Sequence, residues 1–426
     1  MKGGVWEGDI SPLPLPMRSI LVGNPRLMKD INKAIILNAI RTKGPISRVG
    51  ISQLVKLSGT TISVIVDDLL KDGFIYEVGT DESTGGRKPI LLELNPLAGY
   101  SIGIDLGEAD SLFGAIVNLK GEFIESRRKS IGPSPNTDSI VSSIKDMIRE
   151  LISNMVADPE KLLGIGIGIP ALVNIRTGVV HSASNLGIWN DLPLKTIIEE
   201  EFGITTYIDD SVKARAQGER WRINGDVIRD NLLYVTVGKG IGAAIIADGK
   251  IYRGEDSIAG EFGHVTVDLN GPKCSCGNRG CLEAMASEGA LVRMAMDRLQ
   301  TGVVTTLTPE ILKSVGVQAI IDAARSGDRF AMELIREVTV ILAAGIGSAI
   351  NLLNPAVVVM SGTMIQKAWD LILEPLRQEL TCRTLETPYE KVKIIRAGLE
   401  GEKTAVGPAL LVLQEFFNYP VDSSTD

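Results

Sequence analysis

Residues 231–254 read NLLYVTVGKGIGAAIIADGKIYRG, a stretch that predicts three strands joined by two short turns. The first turn, 238–242 (GKGIG), is rich in glycine, and the second, 248–249, is an Asp-Gly pair. Residues 100–130 repeat this arrangement with the strands YSIGIDLG, SLFGAIVNL and GEFIESRRKS. A predicted helix, 137–157, and the apolar strand LLGIGIGIP follow this first copy. Two copies of one strand-turn-strand unit, each followed by α/β segments, predict a body of two similar lobes around a cleft.

The first 95 residues have a different pattern, in which helices precede a hairpin. Apolar residues recur at helical spacing over 26–42, and shorter helices are predicted at 51–57 and between Ser58 and Gly73. Two strands, FIYEV and PILLEL, then flank the glycine-rich basic segment GTDESTGGRK. This order is typical of a winged helix-turn-helix, and a small helical dimerisation or docking domain is the alternative.

The third helix opens with small polar residues, which suit contacts with base edges and phosphates at a recognition helix. The predicted DNA-contacting residues are Ser58, Gly59, Thr60, Thr61, Ser63, Arg87 and Lys88. Residues 1–95 contain 12 Lys and Arg against 10 Asp and Glu, so they carry +2, and the rest of the chain carries −10 of the net −8. A mildly basic head on an acidic body confines the predicted nucleic-acid interface to the head.

Residues 260–283, GEFGHVTVDLNGPKCSCGNRGCLE, concentrate residue types that bind metals. This segment holds one of the 2 His and three of the 4 Cys in the chain. One imidazole and three thiolates complete a tetrahedral shell around Zn²⁺ without an open position, so the pattern predicts a structural zinc ion. Ordinary buried thiols are the alternative. The predicted ligands are His264, Cys274, Cys276 and Cys281.

GEFGH followed by CSCGNRGCLE resembles the signature of the ROK family of repressors and sugar kinases, and the resemblance extends over about residues 26–418. It implies a two-lobed, actin-like α/β body, in which the two glycine-rich turns correspond to the phosphate loops of the kinases. Such turns let backbone N–H groups approach phosphates, although either turn alone is equally consistent with a purely structural role. With the loose arm that composition predicts at the N-terminus, the expected domains are the arm (1–23), the winged helix-turn-helix (24–95), a first lobe (96–212, completed by a helix at about 403–418) and a second lobe with the zinc loop (213–402).

The resemblance also implies a sugar pocket rich in carboxylates, which accept hydrogen bonds from several hydroxyl groups. In YIDDSVKARAQGE, Asp210 matches the catalytic base of the kinases. Asp209 stands where the kinases have Asn, which argues against a simple glucose assignment because an amide donor is lost. The implied sugar-binding residues are Asn185, Asp209, Asp210, Glu261, His264 and Glu283. A solvated or salt-bridged surface group is the alternative for any single carboxylate.

The nucleotide side departs from the kinase pattern. Where the kinases have Asp-x-Gly-Gly-Thr-Lys, residues 105–110 read DLGEAD, without the phosphate-binding Thr and Lys. Like charges about 4 Å apart repel by about 4 kcal/mol at an effective dielectric near 20, so Glu108 and Asp110 should oppose a phosphate. Lys239 stands where the kinases favour Thr, and 361–362 (SG) where they usually have two glycines. The body is therefore predicted to sense a sugar without phosphorylating it, with Asp210 as a vestigial base.

These features predict a sugar-responsive transcriptional regulator, in the simplest case a repressor of carbohydrate-utilisation genes, that binds operator DNA as a homodimer or homotetramer. An ATP-dependent sugar kinase and a zinc-dependent scaffold without a sugar ligand are the alternatives. No apolar run reaches about 18 residues, and the N-terminus lacks the apolar region of a secretory signal. A cytoplasmic protein without a membrane partner is therefore expected.

Overall fold

The structure is a computed structural model that describes residues 25–80, 88–107, 111–132, 136–155, 158–182, 191–223 and 230–418. Several of the predicted features lie outside the described residues: the arm 1–23, Arg87 at the hairpin tip, the acidic segment 108–110 and Asn185. The described chain falls into two compact units, one within residues 1–98 and 414–426 and the other comprising residues 99–413.

The predicted helices and hairpins are present, with small shifts at their ends. The helices are α1 (Pro25–Lys43), α2 (Arg48–Val55), α3 (Gly59–Lys71), α4 (Thr137–Ser153), α5 (Leu194–Phe202), α6 (Ser211–Ile223), α7 (Leu282–Ala286), α8 (Glu288–Leu299), α9 (Pro309–Val315), α10 (Val317–Arg325), α11 (Arg329–Leu353), α12 (Thr363–Thr381), α13 (Glu386–Lys391) and α14 (Val406–Phe417). The strands are β1 (Ile46–Ser47), β2 (Ile75–Thr80), β3 (Ile90–Leu94), β4 (Tyr100–Leu106), β5 (Ser111–Asn118), β6 (Phe123–Ser130), β7 (Leu162–Ile169), β8 (Leu172–Asn174), β9 (Val179–Ser182), β10 (Thr206–Asp210), β11 (Leu232–Val237), β12 (Ile241–Ala247), β13 (Lys250–Tyr252), β14 (Val357–Ser361) and β15 (Lys393–Arg396). Short 3-10 turns occur at Pro96–Ala98, Pro159–Lys161, Phe262–His264 and Gly401–Ala405.

The first unit is a winged helix-turn-helix. Helices α1, α2 and α3 precede a three-stranded antiparallel sheet of order β1-β3-β2. Its core is formed by buried apolar residues of the three helices and of β3. The fully buried members include Ile36, Ile40, Ile51, Ile62, Leu69 and Leu92.

The last turn of α14 also belongs to the first unit. The ring of Phe416 lies 5.6 Å from that of Phe74, and the guanidinium of Arg41 lies 5.0 Å from the ring centre of Phe417. The sequence predicts this whole helix, at about 403–418, as part of the first lobe. Residues 406–413 of the helix do lie in the second unit, whereas residues 414–418 group with the helix-turn-helix.

The second unit contains two five-stranded sheets with the same plan. The first has the order β10-β7-β4-β5-β6 and the second the order β13-β12-β11-β14-β15. In each sheet three parallel strands continue into an antiparallel hairpin, formed by β4-β5-β6 in one sheet and β11-β12-β13 in the other. The repeat predicted from residues 100–130 and 231–254 is therefore confirmed at the level of sheet topology.

Close packing on the first sheet requires two glycines. A Cβ atom at Gly103 in β4 would lie 1.9 Å from the carbonyl oxygen of Ala405, and one at Gly166 in β7 would lie 1.8 Å from that of Pro408. Any side chain at either position would push the start of α14 off the sheet. Glycines in these buried strands thus serve the packing of backbone on backbone.

Among the described residues, no single helix is long and apolar enough to cross a membrane. The pair Arg48–Val55 and Gly59–Lys71 meets that length and composition test only when both helices are taken together, across a bend of 120°.

Candidate functional site

The recognition helix α3 begins at a side-chain cap. The hydroxyl of Ser58 accepts a hydrogen bond from the amide of Thr61 at 3.2 Å, and the two hydroxyl oxygens lie 2.8 Å apart. Gly59 and Thr60 are exposed, whereas Thr61 and Ser63 are half-buried. The structure therefore gathers five of the predicted DNA-contacting residues at the N-terminus of one helix, where the helix dipole favours phosphate.

Cations neutralise the acidic residues near the end of this helix. Three ion pairs of 2.7 Å connect it to α1 and α2: Lys29–Asp68, Lys33–Asp72 and Arg48–Asp67. Arg48 also donates to the carbonyl of Ser63 at 3.2 Å, which fixes α2 against α3. Such exposed pairs add little stability, but they reduce the repulsion between these carboxylates and DNA. Lys88, past the hairpin tip, is exposed.

Asp210, the predicted sugar ligand and vestigial base, caps α6. It is the last residue of β10, and its Oδ1 accepts hydrogen bonds from the amides of Val212 and Lys213, each at 3.0 Å. Burial raises the pKa of Asp210 to about 6, Lys213 opposes this rise, and the nearby charges of Asp209 and Glu261 add to it. Two of the other predicted sugar-binding acids, Asp209 and Glu261, therefore lie within electrostatic reach of Asp210.

Asp209 is buried and is already engaged by a cation. Its two carboxylate oxygens accept from Nη1 and Nη2 of Arg253 at 2.9 and 2.6 Å, the geometry of a bidentate pair. Beside it, Nζ of the buried Lys213 donates to the carbonyl of Ser257 at 2.8 Å. The sequence analysis missed both cations, although each stands next to predicted site residues or a glycine turn.

Glu283 and Glu261 occupy different surroundings. Oε2 of Glu283 accepts from the amide of Ile241 at 2.9 Å, so this acid joins α7 to the end of the turn 238–242. Glu261 is exposed, and its Oε2 lies 4.0 Å from Nε2 of His264. Glu261 is therefore available to a ligand at the edge of the Asp210 cluster, while Glu283 supports the backbone of the glycine-rich turn.

The four predicted metal ligands converge. The ligand atoms of His264, Cys274, Cys276 and Cys281 all lie within 4.8 Å of one another. The Sγ atoms of Cys276 and Cys281 are 3.8 Å apart, and Cys274 Sγ lies 3.7 Å from Nδ1 of His264. Tetrahedral zinc with Zn–S bonds of about 2.3 Å requires S···S separations of about 3.8 Å, so the donor set fits this metal. Burial raises the pKa of Cys281 to about 12, so a metal that binds there must displace its proton.

The side chain of Arg215 lies against the first predicted phosphate loop and pairs with its acid. Asp105, at the end of β4, is fully buried and is paired with Arg215 of α6 through Nε at 2.9 Å and Nη2 at 2.8 Å. A Cβ atom at Gly107 would lie 3.0 Å from the same Nη2, so the guanidinium lies directly against the loop. Lys239 in the second loop is exposed. The sequence did not single out Arg215, because it is one of five charged residues in α6, which reads SVKARAQGERWRI.

Comparisons with known proteins agree with both units. Residues 101–415 match the ROK family, and residues 30–76 match a winged helix-turn-helix DNA-binding family. The chain is 38% identical over 401 residues to the putative xylose repressor of Caldicellulosiruptor sp. (strain Rt8B.4), an alignment that covers 94% of this chain and 99% of the relative. It is 31% identical to the xylose repressor of Bacillus subtilis, over 93% of this chain and 98% of that protein.

Solved structures extend the likeness to three dimensions. A ROK family transcriptional regulator, a homolog of the E. coli MLC protein, matches with a TM-score of 0.78 at 27% identity, covering 92% of this chain and 97% of the other. A ROK family glucokinase from Streptomyces griseus in complex with glucose and AMPPNP matches with a TM-score of 0.63 at 27% identity, and covers 74% of this chain and 100% of the other. The chain belongs to the ROK family, in the branch of its regulators that carry an N-terminal winged helix-turn-helix.

Proposed function

We propose that the protein is a transcriptional repressor that binds operator DNA through its first unit and a sugar effector through its second. The observation that carries the proposal is the combination of a capped, exposed recognition helix with a cluster of acids at the end of β10 in one chain. Relatives named xylose repressor, 31–38% identical to this chain, make a monosaccharide the expected effector and D-xylose the first one to test.

In this proposal α3 enters the major groove. Its first residues contact bases and phosphates, and Arg87 and Lys88 of the hairpin reach the DNA backbone. A homodimer, or a homotetramer built from such dimers, would place one winged head on each half of a pseudo-palindromic operator. The sugar would bind the second unit and, by changing the spacing of the heads, weaken DNA binding.

The proposed sugar contacts are the residues implied by the family resemblance. Asp210 and Glu261 supply carboxylate oxygens that accept hydrogen bonds from hydroxyl groups, and Asp209 acts together with its partner Arg253. Asn185, His264 and Glu283 complete the proposed set. Glu283 acts in part through the backbone of Ile241, to which it is bonded.

The Cys/His cluster is proposed to hold a structural Zn²⁺. His264 would bind it through Nδ1 beside the thiolates of Cys274, Cys276 and Cys281, which leaves Nε2 facing Glu261 at 4.0 Å. At this distance the Glu261 carboxylate would attract the distal N–H of a metal-bound imidazole without forming a hydrogen bond to it. The metal would thereby fold the loop and position an acid of the sugar site.

We also propose that the protein is not a kinase, because the first phosphate loop, DLGEAD, lacks the phosphate-binding Thr and Lys of the kinases. The acids of the segment 108–110 would repel a triphosphate, and Asp105 is already engaged by Arg215. An ATP-dependent sugar kinase is the second candidate. The observation in its favour is the pKa of about 6 at Asp210, which suits a general base near neutral pH.

A thermal-shift screen with and without Mg-ATP distinguishes these functions. The proposal expects a pentose or hexose to raise the melting temperature, as a sugar at a hundred times its Kd stabilises the folded state by about 2.7 kcal/mol. It also expects Mg-ATP to add no shift and no sugar phosphate to form. Phosphorylated sugar in a coupled assay would favour the kinase, and the absence of a shift with every sugar would contradict the sugar effector.

A further inference from the structure

The strongest unexplained feature of the second unit is the ion pair between Asp209 and Arg253. Asp209 lies at the end of β10 in the first sheet, and Arg253 directly follows β13 in the second sheet. The pair is bidentate, with distances of 2.9 and 2.6 Å, and the Asp209 side chain is only 4% exposed. The Arg253 side chain is 26% exposed, so the pair joins the two sheets and leaves part of that side chain accessible to a ligand.

The segment that carries Arg253 is held at two further points. The carbonyl of Arg253 accepts from the amide of Ala259 at 2.9 Å, which closes a short loop. Within that loop, Ser257 accepts from Lys213 at its carbonyl, and Ser257 has a positive φ of 62°. The loop is attached through Arg253 to Asp209 and through Ser257 to Lys213. Asp209 precedes Asp210, and Lys213 donates its amide to Asp210, so both attachments lie beside the acid proposed to contact the sugar. Arg253 is therefore held in a defined position beside Asp209 and near Asp210, the acid proposed to contact the sugar.

The charges of the cluster indicate which ligands it accepts. Asp209, Asp210 and Glu261 contribute acids, and the two cations present are already engaged, Arg253 by a carboxylate and Lys213 by a carbonyl. An anionic group entering here would meet carboxylates, and the cations of this cluster within the described part of the chain, Arg253 and Lys213, already have partners. A neutral, hydroxyl-rich ligand meets charged acceptors and a guanidinium whose orientation is fixed, the combination that discriminates between orientations of a hydroxyl group.

We propose that Arg253, acting with Asp209, is a specificity-determining residue of the sugar site that selects one epimer of a neutral aldose and rejects sugar phosphates. The inference rests on the proposed function, because it requires a sugar site at this position. In the kinases an uncharged Asn stands at position 209. Here the guanidinium of Arg253 supplies the donors that the amide would have supplied, and Asp209 holds it in place.

The test compares sugar selectivity in matched variants of the full-length protein. Titration calorimetry would give the Kd for D-xylose, for its C2, C3 and C4 epimers D-lyxose, D-ribose and L-arabinose, and for D-glucose and D-glucose 6-phosphate.

Arg253→Gln leaves Asp209 buried without its cation and is expected to lower the melting temperature. The double variant Asp209→Asn/Arg253→Gln removes both charges and should recover much of that loss. Arg253→Lys keeps the charge without the bidentate geometry, and Arg325→Gln breaks a surface pair with Asp370 as the control.

Selectivity is the Kd of another sugar divided by the Kd of the preferred sugar. In the folded double variant this ratio should fall by about 10- to 100-fold for at least one other sugar, the range expected for a hydrogen bond to a charged group. Arg253→Lys should lose selectivity while keeping most of its stability, and Arg325→Gln should keep both. Wild-type selectivity in the double variant would overturn the role of Arg253, as would tighter binding of D-glucose 6-phosphate than of D-glucose. Failure of the wild type to bind any of these sugars would instead contradict the proposed function.

Discussion

Arg215 and Asp105 form a buried ion pair between α6 and β4, in which two guanidinium nitrogens lie 2.8 and 2.9 Å from one carboxylate oxygen, Oδ2. Among the described residues, the other oxygen of Asp105 has no hydrogen-bond partner. The acid that opens the first phosphate loop is therefore neutralised from within the protein.

Arg215→Ala should destabilise the second unit strongly. The substitution leaves Asp105 buried without its cation, which typically costs about 3–5 kcal/mol. Urea denaturation monitored by tryptophan fluorescence would measure the loss. Arg325→Ala is the matched control, because its pair with Asp370 is exposed and should contribute little to stability. Equal losses in the free energy of unfolding would show that the buried pair stabilises the protein no more than the exposed pair does.

Zinc analysis of the purified protein should give one ion per chain. Cys276→Ser should lower that stoichiometry and the melting temperature, because a metal present at a thousand times its Kd contributes about 4 kcal/mol to the folded state. Cys382→Ser should change neither quantity, since this exposed thiol lies outside the cluster. Full zinc content in the Cys276 variant would contradict the proposed ligand set.

Sugar affinity should fall as the pH is lowered through about 6. Burial raises the pKa of Asp210 to about that value, so at pH 5 only about a tenth of the molecules retain the carboxylate that accepts hydrogen bonds from the sugar. The Kd should therefore rise about tenfold between pH 7 and pH 5 in calorimetric titrations. Asp210→Asn should bind more weakly at pH 7 and show a flat profile over this range. If Asp210→Asn kept the pH dependence of the wild-type Kd, another group would be responsible for it.

Ser58→Ala should weaken operator binding about fivefold. Loss of an N-cap costs about 1 kcal/mol of helix stability, and here the affected turn carries the proposed DNA contacts. Thr308→Ala removes the same kind of cap from α9 in the second unit and should lower stability without changing DNA affinity. Anisotropy titrations at one fixed salt concentration would compare them. Equal DNA affinities in the two variants would argue against α3 as the recognition helix.

Phe417→Ala should loosen the helix-turn-helix unit. The ring is only 4% exposed and lies against Arg41, so its removal should cost about 3 kcal/mol, the lower end for a buried aromatic residue. Hydrogen exchange measured by mass spectrometry should detect faster exchange in α1. Unchanged protection of α1 would mean that the last turn of α14 contributes nothing to this unit.

The elements that the sequence predicted correctly are those with a local signal. Apolar spacing located α1 and α3, Ser58 was recognised as a cap, and the alternation of strands and glycine turns located the two hairpins. The spacing of His264 and Cys274–Cys281 likewise indicated the metal cluster, because most of its ligands lie in one short segment.

The relationships that the sequence did not predict join residues far apart along the chain. Arg215 and Asp105 are separated by 110 residues, and Arg253 and Asp209 by 44. No periodicity connects such positions, and each pair depends on where two sheets and α6 come together. The packing of Phe416 on Phe74 has the same origin, since it joins two residues from widely separated parts of the chain.

The most direct test of the account measures operator affinity at fixed salt with and without a saturating concentration of a sugar that binds the protein, with D-xylose as the first choice. The account predicts that the sugar weakens operator binding by at least about fivefold, and that operator DNA weakens sugar binding by the same factor. Tight sugar binding that leaves operator affinity unchanged would contradict it.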